Sequence, residues 1–173
     1  GNCARHLERF AFDAVPARMR DAHEALAHIA SFPFADASRA AVMGFSQGGR
    51  TAYLSASRQA VASIPTATRR FRAAVSVYGA CFLPRIDYLR DDTDIPMLSL
   101  MGDLDVDADP QDCVPRLQRA KAKGAPVDWH VYAGGAHAWD SVRAGSGVTI
   151  TQFGIKAPAL FRFDARIRDD SRD

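Results

Sequence analysis

A serine, a histidine and an aspartate stand in settings that suit nucleophilic catalysis. Ser46 lies in Gly44-Phe45-Ser46-Gln47-Gly48-Gly49, a G-x-S-x-G pattern directly after a short apolar run and directly before a helical one. A serine on so tight a strand-to-helix turn takes up strained backbone angles, and glycines two before and two after relieve the crowding. Its hydroxyl then stands clear at a helix N-terminus. There the dipole and the free N–H of Gln47 can stabilise an oxyanion. A serine hydroxyl is a poor nucleophile at neutral pH and needs a base. His137 fits, in the small-residue segment Tyr132-Ala133-Gly134-Gly135-Ala136-His137-Ala138-Trp139-Asp140 after another apolar run. The other histidines fit less well. His6 lies in an irregular N-terminus, His23 and His28 belong to a helical stretch where they are exposed or packed, and His130 lies within a strand.

The base in turn needs a carboxylate to fix its tautomer and stabilise the imidazolium. Asp105, in Gly102-Asp103-Leu104-Asp105-Val106-Asp107-Ala108-Asp109-Pro110, lies three residues past a glycine that closes an apolar run, so it can reach back over that run's end. Asp107 is the nearest competitor. The remaining acids read as solvated loop charges, with Asp109 placed to cap a helix ahead of Pro110. The loop lacks the ligand spacing and terminal Glu of a calcium loop. Ser46 attacking a carbonyl, His137 moving its proton, Asp105 holding His137 and the Gln47 N–H holding the oxyanion would make an acyl-transfer site.

The elements that must position these residues alternate between helix and strand. Pro16 suits a first helical turn, and Met19, Ala22, Leu26, Ile29 and Ala30 give helical spacing over 17–30. Residues 40–44 form an apolar strand and 47–60 a helix. Strands follow at 73–78 and 96–101, then a helix over 112–123 with Gly124 as its C-cap, then a strand at 127–132. Residues 1–12 look irregular, and 141–173 shows weak periodicity. This alternation implies a mostly parallel sheet with helices on both faces, in one domain spanning 1–173. In such sheets ligands bind at the carboxyl ends of the strands. Three of the four post-strand turns hold one of the reactive side chains.

Bulk properties exclude several partners. With 173 residues, 47% hydrophobic and 24% charged, the chain can bury a core. A net charge of +2 is too small to argue for nucleic acid or an anionic membrane. The densest basic cluster, Arg69, Arg70 and Arg72, reads as a solvated edge before a strand. No apolar stretch approaches the roughly 20 residues of a membrane span, and the opening residues lack the apolar region of a signal peptide. The chain begins with Gly rather than Met, as a processed, trimmed or partial chain would. Cys3, Cys81 and Cys113 include no CxxC pair, so no structural zinc is implied, and at most one bridge can form within the chain. No metal or cofactor is called for.

The order Ser46, Asp105, His137 is the α/β-hydrolase order. From about Pro16 to Asp140 the sequence resembles the dienelactone hydrolase family within that fold. The resemblance rests on Gly-Phe-Ser-Gln-Gly-Gly, on Val77-Tyr78-Gly79-Ala80-Cys81, on Gly102-Asp103-Leu104-Asp105 and on Gly135-Ala136-His137-Ala138-Trp139-Asp140. It implies hydrolysis of lactones or small carboxylic esters without metal. The name-giving enzymes use a cysteine nucleophile; Ser46 places this chain with a serine branch and turns expectation away from dienelactone itself. Some exported members of the family are similar in having cysteines at the places of Cys81 and Cys113, so the resemblance implies either a disulfide, and then a periplasmic or secreted location, or two reduced buried thiols. Phe45, Tyr78 and Trp139 line a substrate pocket or belong to the core. In intact members several strands precede the serine turn. Here one helix does, so the expected fold is an incomplete α/β-hydrolase, with the loop for a second oxyanion donor outside the chain and an exposed sheet edge that should pair, in a homo-oligomer, or aggregate. The expected partner is a small-molecule ester. A peptidase or acyltransferase on the same three residues, and a non-catalytic hydrolase fold used for binding or assembly, are the alternatives.

Overall fold

A computed structural model describes residues 3–83, 86–150 and 158–172. Helix α1 spans Cys3–Ile29, so the described part of the expected irregular segment 1–12 is helix, and Pro16 lies inside that helix instead of at its start. The missing proline N–H removes one backbone bond. Val15, Met19, His23 and Leu26, all buried, nonetheless carry one packed face past it. Burial of that face outweighs the local penalty.

A short 3-10 turn, Ala37–Arg39, is capped by the Asp36 carboxylate. Strand β1 (Ala41–Phe45), helix α2 (Gln47–Ala56), helix α3 (Arg58–Ala62) and strand β2 (Ala73–Val77) follow. The single helix expected over 47–60 is therefore two. Ser57 separates them with extended backbone, and its Oγ accepts from Ala60 N at 3.0 Å. Serine side chains compete for backbone partners in this way, and favour caps over helix interiors. Next come the small hairpin β3 (Phe82–Leu83) and β4 (Ile86–Asp87), strand β5 (Met97–Gly102), helix α4 (Pro110–Ala122) and strand β6 (Val127–Tyr132). Asp109 caps α4, accepting from Gln111 N at 2.8 Å. The weakly periodic tail forms a hairpin, β7 (Val148–Ile150) with β8 (Ala159–Phe161), and a last helix α5 (Ala165–Asp170). Residues 151–157 of that tail lie outside the described residues.

The main sheet has the order β1-β2-β5-β6, and all its pairings are parallel. Val42, Ala74, Met97, Met101 and Val127 pack on one face with Met19 of α1, Tyr53 and Leu54 of α2 and Leu117 of α4. On the other face Val77, Leu100 and Tyr132 cluster with Trp139 and with Ile167 of α5. Helices thus lie on both faces, as the alternation of elements implied. β1 is an edge strand, and Met43 and Phe45 remain 52% and 44% exposed on it. Met43 shares a register row with Val75 and Leu98.

Cys81 and Cys113 are bridged, both fully buried, and tie the segment after β2 to α4. On a loop-closure model, a bridge over a sequence separation of 32 stabilises the fold by about 3–4 kcal/mol. Among the described residues no helix is long and apolar enough to cross a membrane.

His23 belongs to the core. It is 1% exposed, packs at a tilt against the Phe71 ring with centroids 4.9 Å apart and places Nδ1 3.2 Å from the Arg69 carbonyl. Its Nε2 is buried with no partner among the described residues. Burial lowers its pKa below 6.5, against the opposing pull of the Arg69 carbonyl. The unfolded chain therefore binds a proton near pH 6.5 that the folded chain refuses until lower pH, so this contribution is complete above that pH and falls on acidification. The urea midpoint should drop more steeply from pH 7 to pH 5 for the native chain than for His23→Phe; parallel curves would contradict this account.

Candidate active site

The turn after β1 shows why the sequence needs glycine there. A Cβ on Gly44 would lie 2.0 Å from the Gly48 carbonyl oxygen, and one on Gly49 would lie 2.8 Å from the Gly79 Cα. Those approaches let α2 start directly above β1 and β2. Gly48 itself faces open space. Of the two glycines of the G-x-S-x-G spacing, Gly44 cannot carry a side chain and Gly48 could; the second crowded position of this turn is Gly49. Ser46 between them has φ 52° and ψ −115°, in the sparsely populated region expected of it. It occupies the N-cap of α2 without capping it. Its N–H donates to Val77 O at 2.9 Å, which ties the turn to β2 and leaves Oγ for other work. Gln47 is the first residue of α2, so its N–H is one of the donors that a helix leaves without an intrahelical partner. The Gln47 side-chain oxygen accepts from Arg18 of α1.

Ser46, His137 and Asp105 meet at the carboxyl ends of β1, β6 and β5. Ser46 Oγ lies 2.9 Å from His137 Nε2, and His137 Nδ1 lies 2.8 Å from Asp105 Oδ2. His137 and Asp105 are 1% and 2% exposed. A carboxylate only accepts, so Nδ1 carries the proton and Nε2 is free to accept from the serine. The remaining Asp105 oxygen, Oδ1, accepts from Asp107 N at 2.9 Å and Ala108 N at 3.0 Å. Asp105 is therefore held in place by backbone on one side and by His137 on the other.

Neighbouring loops fix the histidine. His137 N donates to Leu160 O, and the ring sits between Tyr78 and Phe161 at centroid distances of 4.9 and 4.7 Å. The Tyr78 hydroxyl donates to Asp140 Oδ1 at 2.5 Å, which pins the histidine loop to the end of β2. Burial and then the Asp140 carboxylate raise the Tyr78 pKa, so the phenol keeps its proton. The acid and histidine loops are also joined directly. Gly134 N donates to Asp103 Oδ1 at 2.7 Å, and a Cβ on Gly102 would lie 2.3 Å from the Gly135 carbonyl oxygen. Ser46, Tyr78 and Ala138 are the non-glycine residues with positive φ among the described residues, and all three border this site.

Of the three aromatic side chains weighed for a pocket, Trp139 is fully buried and Tyr78 nearly so, while Phe45 is exposed. The competing histidines are elsewhere: His23 is in the core, His130 is exposed on β6, and the side chain of His6 lies outside the described residues. Asp107 does not face His137 through its carboxylate; it pairs with Arg50 of α2, whose Nη2 lies 3.0 Å from both Asp107 oxygens. Sequence reasoning missed Arg50 and the support from Tyr78, Asp140 and Phe161. One signal was present: an arginine amid small and apolar residues, four past the serine, on a helix that must cover the sheet.

A model of the Dienelactone hydrolase family matches residues 3–150. No curated protein sequence matches the chain. Among solved structures, the chain is similar to a dienelactone hydrolase-like promiscuous phosphotriesterase, P91, from metagenomic libraries, at TM-score 0.63 and 18% identity over 98% of this chain and 62% of that one. It is similar to MGS-M1, an α/β-hydrolase enzyme from a Medee basin deep-sea metagenome library, at TM-score 0.61 and 17% identity over 89% of this chain and 60% of that one. It is also similar to Thermogutta terrifontis esterase 2 phosphorylated by paraoxon, at TM-score 0.57 and 16% identity over 72% of this chain and 55% of that one. The chain thus spans less than two thirds of each of these proteins. These likenesses establish the α/β-hydrolase fold.

Tyr78→Phe keeps the ring against His137 and removes the bond to Asp140. It should lower stability by about 1.5–3 kcal/mol, the range for a hydrogen bond to a charged group. Urea unfolding of the two chains measures this directly, and an unchanged midpoint would show that Tyr78 does not pin the loop.

Proposed function

Since the chain belongs to the dienelactone hydrolase family, we propose that Ser46, His137 and Asp105 form a catalytic triad that hydrolyses carboxylic esters or lactones through an acyl-enzyme. The observation that carries this reading is the continuous run of contacts from Ser46 Oγ through His137 to Asp105, at 2.9 and 2.8 Å. Ser46 Oγ attacks the carbonyl carbon while His137 Nε2 takes its proton. Asp105 holds the imidazolium, and the Gln47 N–H donates to the oxyanion. His137 then gives the proton to the leaving alcohol. In the second half it activates water, which releases the acid and restores Ser46. The buried disulfide supports an oxidising compartment, periplasmic or secreted, as the place where the chain works.

A second reading has its own support. Two of the similar structures bear names that refer to organophosphate chemistry, one as a promiscuous phosphotriesterase and one as phosphorylated by paraoxon. The same serine would attack phosphorus as its proton passes to His137 and one ester group leaves as the alcohol protonated by His137, and turnover or a stable adduct would depend on how well water reaches the phosphorylated serine. Peptidase and acyltransferase activities would use the same triad with another acceptor or leaving group, and nothing specific to this site favours them.

Labelling with a fluorescent fluorophosphonate tests the proposal. The native chain should label, Ser46→Ala should not, and Asp105→Asn should lower the rate by about 10⁴, the cost of a wrong tautomer in a Ser-His-Asp site. A folded chain that does not label would sink the enzymatic reading and favour a binding or assembly role. Ester and organophosphate panels on the same chain would then separate the two substrate classes.

A further inference from the structure

The triad of the preceding proposal leaves a buried ion pair unused. Arg50 stands in α2, its backbone N–H donating to Ser46 O at 3.2 Å. Its side chain is 8% exposed and that of Asp107 is 4% exposed. Nη2 lies 3.0 Å from each Asp107 oxygen, and the guanidinium carbon is 6.0 Å from the centre of the Tyr88 ring. Asp107 is the residue whose N–H binds Asp105 Oδ1. A closed circuit results. It runs from Ser46 along the first turn of α2 to Arg50, across the ion pair to Asp107, through its N–H to Asp105, and back through His137 to Ser46.

Two physical consequences follow from this circuit. The pair clamps the acid loop to the helix that carries the nucleophile, so the donor and acceptor of the serine proton move as one body. It also neutralises a second carboxylate two residues from Asp105. Left bare, Asp107 would add negative charge to the surroundings of Asp105 and His137. Burying a charged pair costs several kcal/mol of desolvation, and such pairs are weak contributors to stability alone.

We propose that Arg50 is a positioning residue for the reaction: paired with Asp107, it holds Asp105 on His137 and removes the Asp107 charge from the field at the base. The proposal rests on the triad reading. The groups that face His137 are Ser46 from the turn after β1, Asp105 from the acid loop, Tyr78 from the end of β2, protonated and bound to Asp140, and Phe161 from β8. Beyond these, the Arg50–Asp107 pair lies one hydrogen bond removed, and its charges can be changed without altering a side chain of the triad.

The experiment is the pH dependence of the fluorophosphonate labelling rate for the native chain, Arg50→Gln, Asp107→Asn and the double variant, with folding followed by circular dichroism. Arg50→Gln exposes His137 to an unpaired carboxylate, so the acidic limb of the profile should move to higher pH. Asp107→Asn leaves an unpaired cation, and the limb should move to lower pH. Each shift should be roughly 0.5–1 pH unit, the scale of one added charge in a partly screened site. The double variant is neutral again, so its limb should return to the native position. Its rate should stay lowered about tenfold or more because the clamp is gone, and Arg50→Lys should recover most of that loss. A purely structural role would move both single variants the same way or leave the limb in place, and either result overturns the proposal. Should the single variants fail to fold, the double variant and Arg50→Lys decide: a double variant that labels at the native rate, or an Arg50→Lys chain that labels as slowly as the double variant, overturns the proposal, and a slow double variant with a native limb beside an Arg50→Lys chain near the native rate upholds it. A native chain without Ser46-dependent labelling removes the triad reading and this inference together, whereas a labelled native chain with indifferent variants removes this inference only.

Discussion

The contact between the backbone of Gly44 and that of Gly48 is the constraint on which the site depends. With no Cβ at Gly44, the carbonyl of Gly48 can stand where a side chain would begin. The strand can then turn into α2 within one residue, and that residue is forced to φ 52°. A serine at an ordinary N-cap would spend its hydroxyl on the helix. At this angle the hydroxyl faces His137 instead, and the first turn of the helix is left without a side-chain cap. The strain of such a residue, on the order of 1–3 kcal/mol, must be offset by surrounding packing. The Ser46 N–H bond to β2 and the fit of Gly49 against Gly79 provide it locally.

The rest of the site follows from satisfying buried polar groups. An ionised carboxylate that is 2% exposed needs donors for both oxygens. Asp105 finds two backbone N–H groups and the His137 ring, which fully determines where it points. Tyr78 shows the same logic with the opposite polarity, since its buried hydroxyl reaches Asp140 and so fastens the loop on which His137 sits. These bonds also explain the choice between neighbouring acids. Asp105 and Asp107 lie in the same loop and carry the same side chain, but Asp107 has Arg50 beside it and Asp105 has not. A carboxylate already matched to a guanidinium has little left to offer an imidazole.

The site was legible where one short segment contains its own physics. The G-x-S-x-G turn with an apolar run before it and a helical run after it could be read directly. So could the strand ends, all of which fall within one residue of where hydrophobicity placed them. His137 and Asp105 were read from glycines that close strands, because such turns are where a parallel sheet presents side chains. What failed to show was what depends on partners distant in sequence. Nothing local says that helix α1 runs through Pro16, since only burial of Val15 and Met19 against the sheet makes that worthwhile. Ser57 breaks a helix by capping Ala60 N, which any helical serine could do, and what holds it there is Asp92, far along the chain. The pairing of Cys81 with Cys113 was suggested by resemblance, and its place behind the acid loop emerged only from the fold.

The circuit through Arg50 extends the same argument from single groups to the relation between loops. Each site residue comes from the end of a different strand, so rigid strands alone do not fix the distance from Ser46 to His137. That distance is set by cross-ties: Asp103 to Gly134 between the acid and histidine loops, Tyr78 to Asp140 between β2 and the histidine loop, and Arg50 to Asp107 between α2 and the acid loop. Removing any one leaves a path through the other two, but the three are not equivalent. The first is a neutral backbone donor on a carboxylate, and the second is a phenol that keeps its proton. Only the third sets full opposite charges against each other, next to the loop that holds Asp105. It is therefore the tie whose loss would alter the electrostatics around His137 as well as the geometry of the site.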